Sequence, residues 1–156
     1  MRLVALVAVI VFVIDQISKW LVVHVMDLAR LGSIDVFPPY LNFRMAWNTG
    51  INFGLLSGNA DWTRWVLISV ALGICLFVLV WMRRDPPGRT GLIFAGLLIG
   101  GALGNVVDRL LYGAVADFLN MSCCGFDNPY AFNVADISVF IGAIGLALFS
   151  GGKNAS

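Results

Sequence analysis

The chain has 156 residues, of which 60% are hydrophobic and only 12% are charged, and its formal net charge is +1. Its mean hydropathy of +0.89 lies far above that of water-soluble globular proteins. The near balance of acidic and basic residues offers no basic surface for nucleic acid. We therefore predict one integral membrane domain over residues 1–156.

Four apolar runs predict transmembrane helices. They cover about residues 3–26, 65–82, 90–110 and 134–152. Each is about as long as the ~20 helical residues that cross a hydrocarbon core of ~30 Å. The first run resembles a signal peptide because Arg2 precedes it, but no small-residue cleavage site follows Lys19. We interpret it as a retained span.

Basic residues near the ends of these runs predict the orientation of the chain. They are Arg2, Arg83, Arg84, Arg89 and Lys153. Because lysine and arginine favour the cytoplasmic side, we expect both termini in the cytoplasm. The loops at about 27–61 and 111–133 then face outward.

The first outer loop contains a stretch in which apolar and polar side chains alternate, from Leu41 to Trp47. This period is typical of a strand. A single strand is not stable alone, so we expect a small sheet on the outer membrane surface. The predicted fold class is a membrane all-α bundle of four transmembrane helices with a small extracytoplasmic β-sheet.

Ionisable residues lie near the outer ends of three predicted spans. At ~1.5 Å per residue, Asp15, Asp108 and Asp136 lie about 20–28 Å from the cytoplasmic ends of their helices. A charge inside a bilayer costs at least a few kcal/mol, so such residues usually face the bundle interior and mark function. This common depth is the main indication of a site.

The spacing of charged residues along each helix suggests which of them interact. Asp15 and Lys19 are four residues apart, and we keep two interpretations of them: an ion pair that supports the fold, or a contact with substrate. Asp108 and Arg109 share a helix face with Asn105, and we expect loss of Arg109 to strand Asp108 in a low dielectric.

Asp117 and Asp136 have no basic residue near them in sequence. Two such carboxylates in contact would share one proton, and a pair of this kind can activate water to attack an amide. The structural alternative is that Asp117 caps a turn and Asp136 caps the start of the fourth helix.

Five motifs resemble, in order, those of bacterial lipoprotein signal peptidase, also called signal peptidase II. They are DQISK, NTGINFGLL, GGALGNVVDR, VADF and FNVADISV. The match runs across nearly the whole chain. It implies a four-helix inner-membrane aspartyl endopeptidase that removes the signal peptide from diacylglyceryl-modified prolipoproteins and cleaves before the lipidated cysteine.

The resemblance also implies roles for individual residues. Asp117 and Asp136 would be the catalytic pair. The residues that position peptide and water, with the polar framework around them, would be Asn48, Asn105, Arg109, Asn133, Asp15, Lys19 and Asp108. Ile51 and Asn52 depart from the small residues that the family often has there, and we assign no role to Cys123 and Cys124.

We expect neither a metal nor a cofactor, because the only histidine is His24 and no second cysteine pair exists. The expected partners are lipid-modified prolipoproteins and membrane lipids, bound by a monomer in the inner membrane whose site faces the periplasm. Two other classes are weighed against the peptidase. A proton-coupled carrier would spread its polar groups along a pore, and a noncatalytic scaffold gives the unpaired carboxylates no purpose.

Overall fold

A computed structural model of the protein describes residues 1–50, 60–123 and 125–149. Its helices are α1 (Arg2–Lys19), which continues as a π-helix (Trp20–Val25), α2 (Leu28–Leu31), α3 (Ala60–Arg84), α4 (Arg89–Tyr112) and α5 (Val134–Phe149). Its strands are β1 (Ser33–Phe37), β2 (Leu41–Asn48) and β3 (Val115–Asn120).

In the described part of the chain, three helical segments are long and apolar enough to cross a membrane. They are Arg2–Val25, Trp62–Arg84 and Arg89–Tyr112. The predicted fourth span at about 134–152 is represented by α5, a shorter apolar helix of 16 residues. Residues 150–152 of that prediction lie outside the described residues.

Helix α4 is the centre of the bundle and packs against α1, α3 and α5. Glycines allow this close approach. A Cβ atom at Gly100 would lie 2.5 Å from the carbonyl oxygen of Ala8 in α1, and one at Gly101 would lie 2.5 Å from that of Ala135 in α5. These glycines of α4 therefore serve helix packing.

The strands form one antiparallel sheet in the order β1-β2-β3. The expected sheet exists, and the alternation in β2 is confirmed by Phe43 and Met45, which pack on a core cluster with Val22, Leu28 and Phe118. Trp47 differs: it is exposed and lies beside Tyr112, with the ring centroids 5.5 Å apart.

A tight turn connects α4 to β3. Gly113 adopts a left-handed conformation with φ 78°, and its N–H donates to the carbonyl of Arg109. Glycine adopts this conformation without steric cost, so the helix ends there and the chain reverses. The turn brings Asp117 back toward the end of the helix that carries Asp108.

Candidate active site

Two polar clusters, the first partly buried and the second buried, lie side by side where α1, α4 and α5 meet the sheet. The first contains Asp117 and Asp136 with neutral amides, and the second contains Lys19 with Asp15 and Asp108. The structure thus brings together the polar residues that sequence depth predicted to converge. The two clusters differ in how their charges are compensated.

Asn133 connects the two carboxylates of the first cluster. Its side-chain Nδ2 donates to Asp117 Oδ1 at 2.7 Å, and its backbone N–H donates to Asp136 Oδ2 at 3.2 Å. Asn133 is fully buried, and Asp117 is only 2% exposed. Asp117 lies in β3 and Asp136 in the first turn of α5, so two residues that are 19 positions apart both bind Asn133.

Two further asparagines complete the surroundings of these carboxylates. Asn48, at the end of β2, donates to Asp117 Oδ2 at 3.0 Å, and Asn105, on α4, donates to Asp136 Oδ1 at 2.8 Å. All four carboxylate oxygens therefore accept an N–H from a neutral group. Among the residues that the structure describes, neither aspartate forms an ion pair.

The protonation of Asp117 follows from this environment. Burial and, after it, the negative charge of Asp136 raise the pKa of Asp117 from 3.8 to about 7, although hydrogen bonds from Asn48 and Asn133 and the charge of Lys19 oppose the rise. Near neutral pH this carboxyl is poised to hold a proton beside a second carboxylate, the property expected of an acid–base pair.

The second cluster is a compensated ion group. Lys19 Nζ lies 2.8 Å from Asp15 Oδ2 and 2.8 Å from Asp108 Oδ2. The two carboxylates also accept hydrogen bonds from backbone N–H groups. Asp15 accepts the N–H of Ala135 at 2.9 Å, and Asp108 accepts that of Ala116 at 3.1 Å. Lys19 thus ties α1 and α4 to the residues next to both candidate catalytic aspartates, and the ion-pair interpretation of Asp15 and Lys19 is confirmed.

Gln16 also belongs to this cluster, although sequence reasoning did not select it. Its Nε2 lies 3.2 Å from Asp15 Oδ2, 3.2 Å from Asp108 Oδ1 and 3.4 Å from the carbonyl of Gly104. The signal available in the sequence was its position between two residues of the DQISK motif. An uncharged residue on an apolar helix gives no ion-pair pattern by itself.

Asp108 does not form an ion pair with Arg109, the partner that the sequence suggested. Asp108 pairs with Lys19 of the neighbouring helix, whereas Arg109 Nη1 donates to the carbonyl of Asn105 at 3.3 Å, and Arg109 Nε is buried without a hydrogen-bond partner. The guanidinium still interacts electrostatically with Asp136 and Asp117 and, after them, with Asp108. Side chains at adjacent helical positions point about 100° apart, which separates the two residues.

An apolar groove leads to the first cluster. It has a volume of about 350 Å³ and lies between α3, α4 and α5. Apolar side chains such as Ile74, Leu98 and Val139 line it, and Asn105 and Arg109 are its polar lining residues. A long apolar ligand in this groove would meet Asn105, which binds Asp136, and the guanidinium of Arg109.

The capping alternative holds only in part. Asn133 precedes α5 and accepts the N–H of Asp136 at 2.9 Å, while Asp136 accepts the N–H of Asn133, so the two form a reciprocal capping box. Asp136 also binds Asn105 with its other oxygen, and Asp117 lies in a strand rather than a turn. The predictions on Ile51, Asn52 and Cys124 fall outside the described residues.

Comparison with known proteins identifies the family. The family model described as signal peptidase (SPase) II matches residues 7–150. The lipoprotein signal peptidase of Shewanella amazonensis is 40% identical over 139 residues, which cover 88% of this chain and 80% of that protein. That of Pseudomonas aeruginosa is 36% identical over 146 residues, or 91% of this chain and 83% of the relative.

Solved structures agree with this match. One bacterial membrane enzyme superposes with a TM-score of 0.81 at 31% identity, covering 99% of this chain and 96% of its own. A second gives a TM-score of 0.77, also at 31% identity, covering 100% of this chain and 93% of its own. The chain belongs to the signal peptidase II family, the lipoprotein signal peptidases of bacterial membranes.

Proposed function

We propose that this lipoprotein signal peptidase cleaves prolipoproteins with a water molecule activated by Asp117 and Asp136. The observation that carries the proposal is the bridge through Asn133, which holds both carboxylates without a cation in direct contact. Asp136 is the ionised member and Asp117 the protonated one. Asp136 lies in the first turn of α5, where the helix dipole favours negative charge, whereas Asp117 lies in strand β3.

The first chemical step is attack on the peptide carbonyl before the lipidated cysteine. Asp136 takes a proton from water as the water oxygen bonds to the carbonyl carbon. The proton on Asp117 hydrogen-bonds to the carbonyl oxygen, which becomes the oxyanion of a tetrahedral intermediate. The guanidinium of Arg109, with Nε buried and unpartnered, is a further source of N–H donors for the substrate backbone.

The second step breaks the carbon–nitrogen bond. As the tetrahedral intermediate collapses, Asp136 returns its proton to the leaving nitrogen, which becomes the amine of the lipidated cysteine. The signal peptide leaves with a new carboxyl group, and Asp117 keeps the proton with which it started. Proton transfer of this kind typically contributes about 10²–10⁴-fold to a rate.

The apolar groove between α3, α4 and α5 provides a place for the substrate. A signal peptide carries an apolar segment of about 7–15 residues, which suits an apolar groove that includes Asn105, a residue bound to Asp136. We extend the proposal to the whole chain as one domain of residues 1–156, a monomer among membrane lipids. Four spans, with α5 as the fourth, leave both termini in the cytoplasm and the sheet and site on the periplasmic face.

The test is cleavage of a synthetic diacylglyceryl-modified prolipoprotein by the purified protein in lipid nanodiscs, followed by mass spectrometry. We expect two products, one of which begins with the lipidated cysteine. Asp117→Asn and Asp136→Asn should each lower kcat by about 10³-fold or more while the helical circular dichroism is retained, because an amide at position 136 cannot take the proton of water and an amide at position 117 lacks the acidic proton that stabilises the oxyanion.

The same peptide without its diacylglyceryl group serves as the control for substrate class. Equal cleavage of both peptides would contradict specificity for lipidated substrates. Activity within tenfold of wild type in either asparagine variant would exclude the two-aspartate mechanism. If the wild-type protein cleaves neither peptide, the proton-coupled carrier and the noncatalytic scaffold have to be considered again.

A further inference from the structure

Three side-chain amides donate to the dyad, and each has its orientation set by a group on its far side. The carbonyl oxygen of Asn48 accepts the N–H of Gly50 at 2.8 Å, and that of Asn133 accepts the N–H of Asp136 at 2.9 Å. Backbone N–H groups donate and cannot accept. The oxygen of each amide must therefore face that donor, and its NH2 group must face a carboxylate.

Asn105 has its orientation set by a side chain. Its Oδ1 lies 3.4 Å from Lys19 Nζ, while its Nδ2 donates to Asp136. An ammonium group carries three donors and no acceptor, so this contact also fixes which end of the amide faces Asp136. Asn133 Nδ2 adds a second donor to the same oxygen at 3.3 Å.

The geometry of Lys19 fits this task. Its three N–H groups have three acceptors: Asp15, Asp108 and Asn105. The two carboxylates neutralise the ammonium charge, and the third donor remains for the amide. Without that donor Asn105 is less constrained, and a flipped amide would turn its carbonyl oxygen toward Asp136, where two acceptors repel each other.

We infer that Lys19 is a positioning residue for catalysis: it orients the Asn105 amide so that Asp136 receives an N–H and stays the ionised base of the dyad. This inference rests on the proposed function. It separates Lys19 from a purely structural ion pair, because Lys19 acts on the reaction through Asn105.

A double-mutant cycle tests this relation. Lys19→Met and Asn105→Leu are measured singly and together, with kcat and KM for the lipidated substrate. We expect Lys19→Met to lower kcat about ten- to hundredfold, the effect of losing one hydrogen bond to a charged group, with KM changed less than about twofold. The double variant should be no slower than Asn105→Leu alone.

Gln16→Met is the matched control. Gln16 contacts the same two carboxylates, Asp15 and Asp108, and no hydrogen bond joins it to Asn105 among the described residues. Any rate effect of Gln16→Met should therefore multiply with that of Asn105→Leu. Should the Lys19 and Asn105 effects also multiply, or should Lys19→Met change KM rather than kcat, the positioning role is overturned.

If Lys19→Met does not fold, Lys19→Met/Asp108→Asn replaces it in the cycle. This variant removes one cation and one carboxylate, so the net charge of the cluster is unchanged. Two kinds of failure remain distinct. A wild-type protein that does not cleave its substrate contradicts the proposed function, whereas an active wild type with multiplying rate effects contradicts only the role of Lys19.

Discussion

The two polar clusters contain the same kind of acidic residue but compensate its charge differently. In the lysine cluster, formed by Lys19, Asp15 and Asp108, the ammonium lies 2.8 Å from each carboxylate. In the dyad, Asp117 and Asp136 receive only neutral N–H donors, from three asparagine side chains and one backbone amide. The carboxylates of the lysine cluster are therefore bound to a cation, and within the described ranges those of the dyad are not.

In the proposed mechanism, this difference separates the lysine cluster, which stabilises the fold, from Asp117 and Asp136, which react. In the lysine cluster, the cation binds both carboxylates, and each carboxylate also accepts a backbone N–H, so these side chains are engaged in holding the fold. In the dyad, burial and the negative charge of Asp136 raise the pKa of Asp117 to about 7, so this carboxyl can exchange a proton near neutral pH. The asparagines satisfy the carboxylate oxygens without adding a positive charge. Each prediction below changes one side of this comparison.

The largest effect is expected from giving the dyad a cation. Asn48→Lys places an ammonium where an amide donates to Asp117 at 3.0 Å. The cation should lower the pKa of Asp117 below about 7, deprotonate it at neutral pH and reduce kcat about 10²–10³-fold, the usual worth of a general acid. Cleavage rates measured from about pH 5 to about pH 8 should show partial recovery at the acidic end.

Asn48→Ala is the control for this substitution. It removes the hydrogen bond without adding charge, so its rate loss should be smaller and should show no recovery at acidic pH. Equal losses in the alanine and lysine variants, with the same pH dependence, would mean that charge at this position does not control the proton of Asp117.

A second prediction opens the lysine cluster. Asp108→Leu leaves Lys19 with one carboxylate and removes the acceptor of the Ala116 N–H. Removing one partner of a buried pair costs about 3–5 kcal/mol, so the folded yield and Tm in detergent should fall strongly. Asp27→Ala breaks the exposed pair with Arg30 and should cost at most about 1 kcal/mol. Similar losses in both variants would contradict the structural role of Asp108.

Arg109 tests the boundary between the clusters. Because its guanidinium does not pair with Asp108, Arg109→Gln should keep the Tm close to that of the wild type. The cleavage rate should fall about ten- to hundredfold, as expected from losing one charged hydrogen-bond donor to the substrate. Arg44→Gln, the same substitution at an exposed position of β2, should change neither quantity. Unfolding of Arg109→Gln would instead show that Arg109 stabilises the fold.

The sequence predicted convergence better than it predicted partners. The depths of Asp15, Asp108 and Asp136 followed from helix rise alone, and these residues do meet. The pairing of Asp108 with Lys19 depends on how closely α1 approaches α4, where Gly104 leaves space for the Asp15 carboxylate. The distance between α1 and α4 depends on tertiary packing, so it cannot be predicted from the spacing of residues within one helix.

Strand β3 escaped prediction for a related reason. Five of its six residues, from Val115 to Asn120, are buried, so its two faces do not differ in exposure. Without an apolar and polar alternation the stretch lacks the period that made β2 recognisable. The position of Asp117 opposite Ala46 of the neighbouring strand therefore had to come from the structure.

The last and smallest effect is the contribution of the dyad to stability. The pKa of Asp117 is raised in the folded protein, from 3.8 to about 7, so the folded state binds its proton more tightly than the unfolded state does. Stability is therefore highest below the unfolded value and falls as pH rises toward about 7. Wild-type Tm should decrease by several degrees between about pH 5 and about pH 8, at roughly 2–4 °C per kcal/mol.

Asp117→Asn removes this titration, so its Tm should change less over the same pH range, whatever its absolute value. Asp27→Asn, at an exposed carboxylate, should keep the wild-type slope. If the Tm of Asp117→Asn falls with pH as steeply as that of the wild type, another group binds the proton on folding, and the raised pKa of Asp117 is not the cause. A flatter curve in Asp117→Asn alone would show that the folded protein tolerates a destabilising carboxylate at this position, as expected where a shared proton is needed for cleavage.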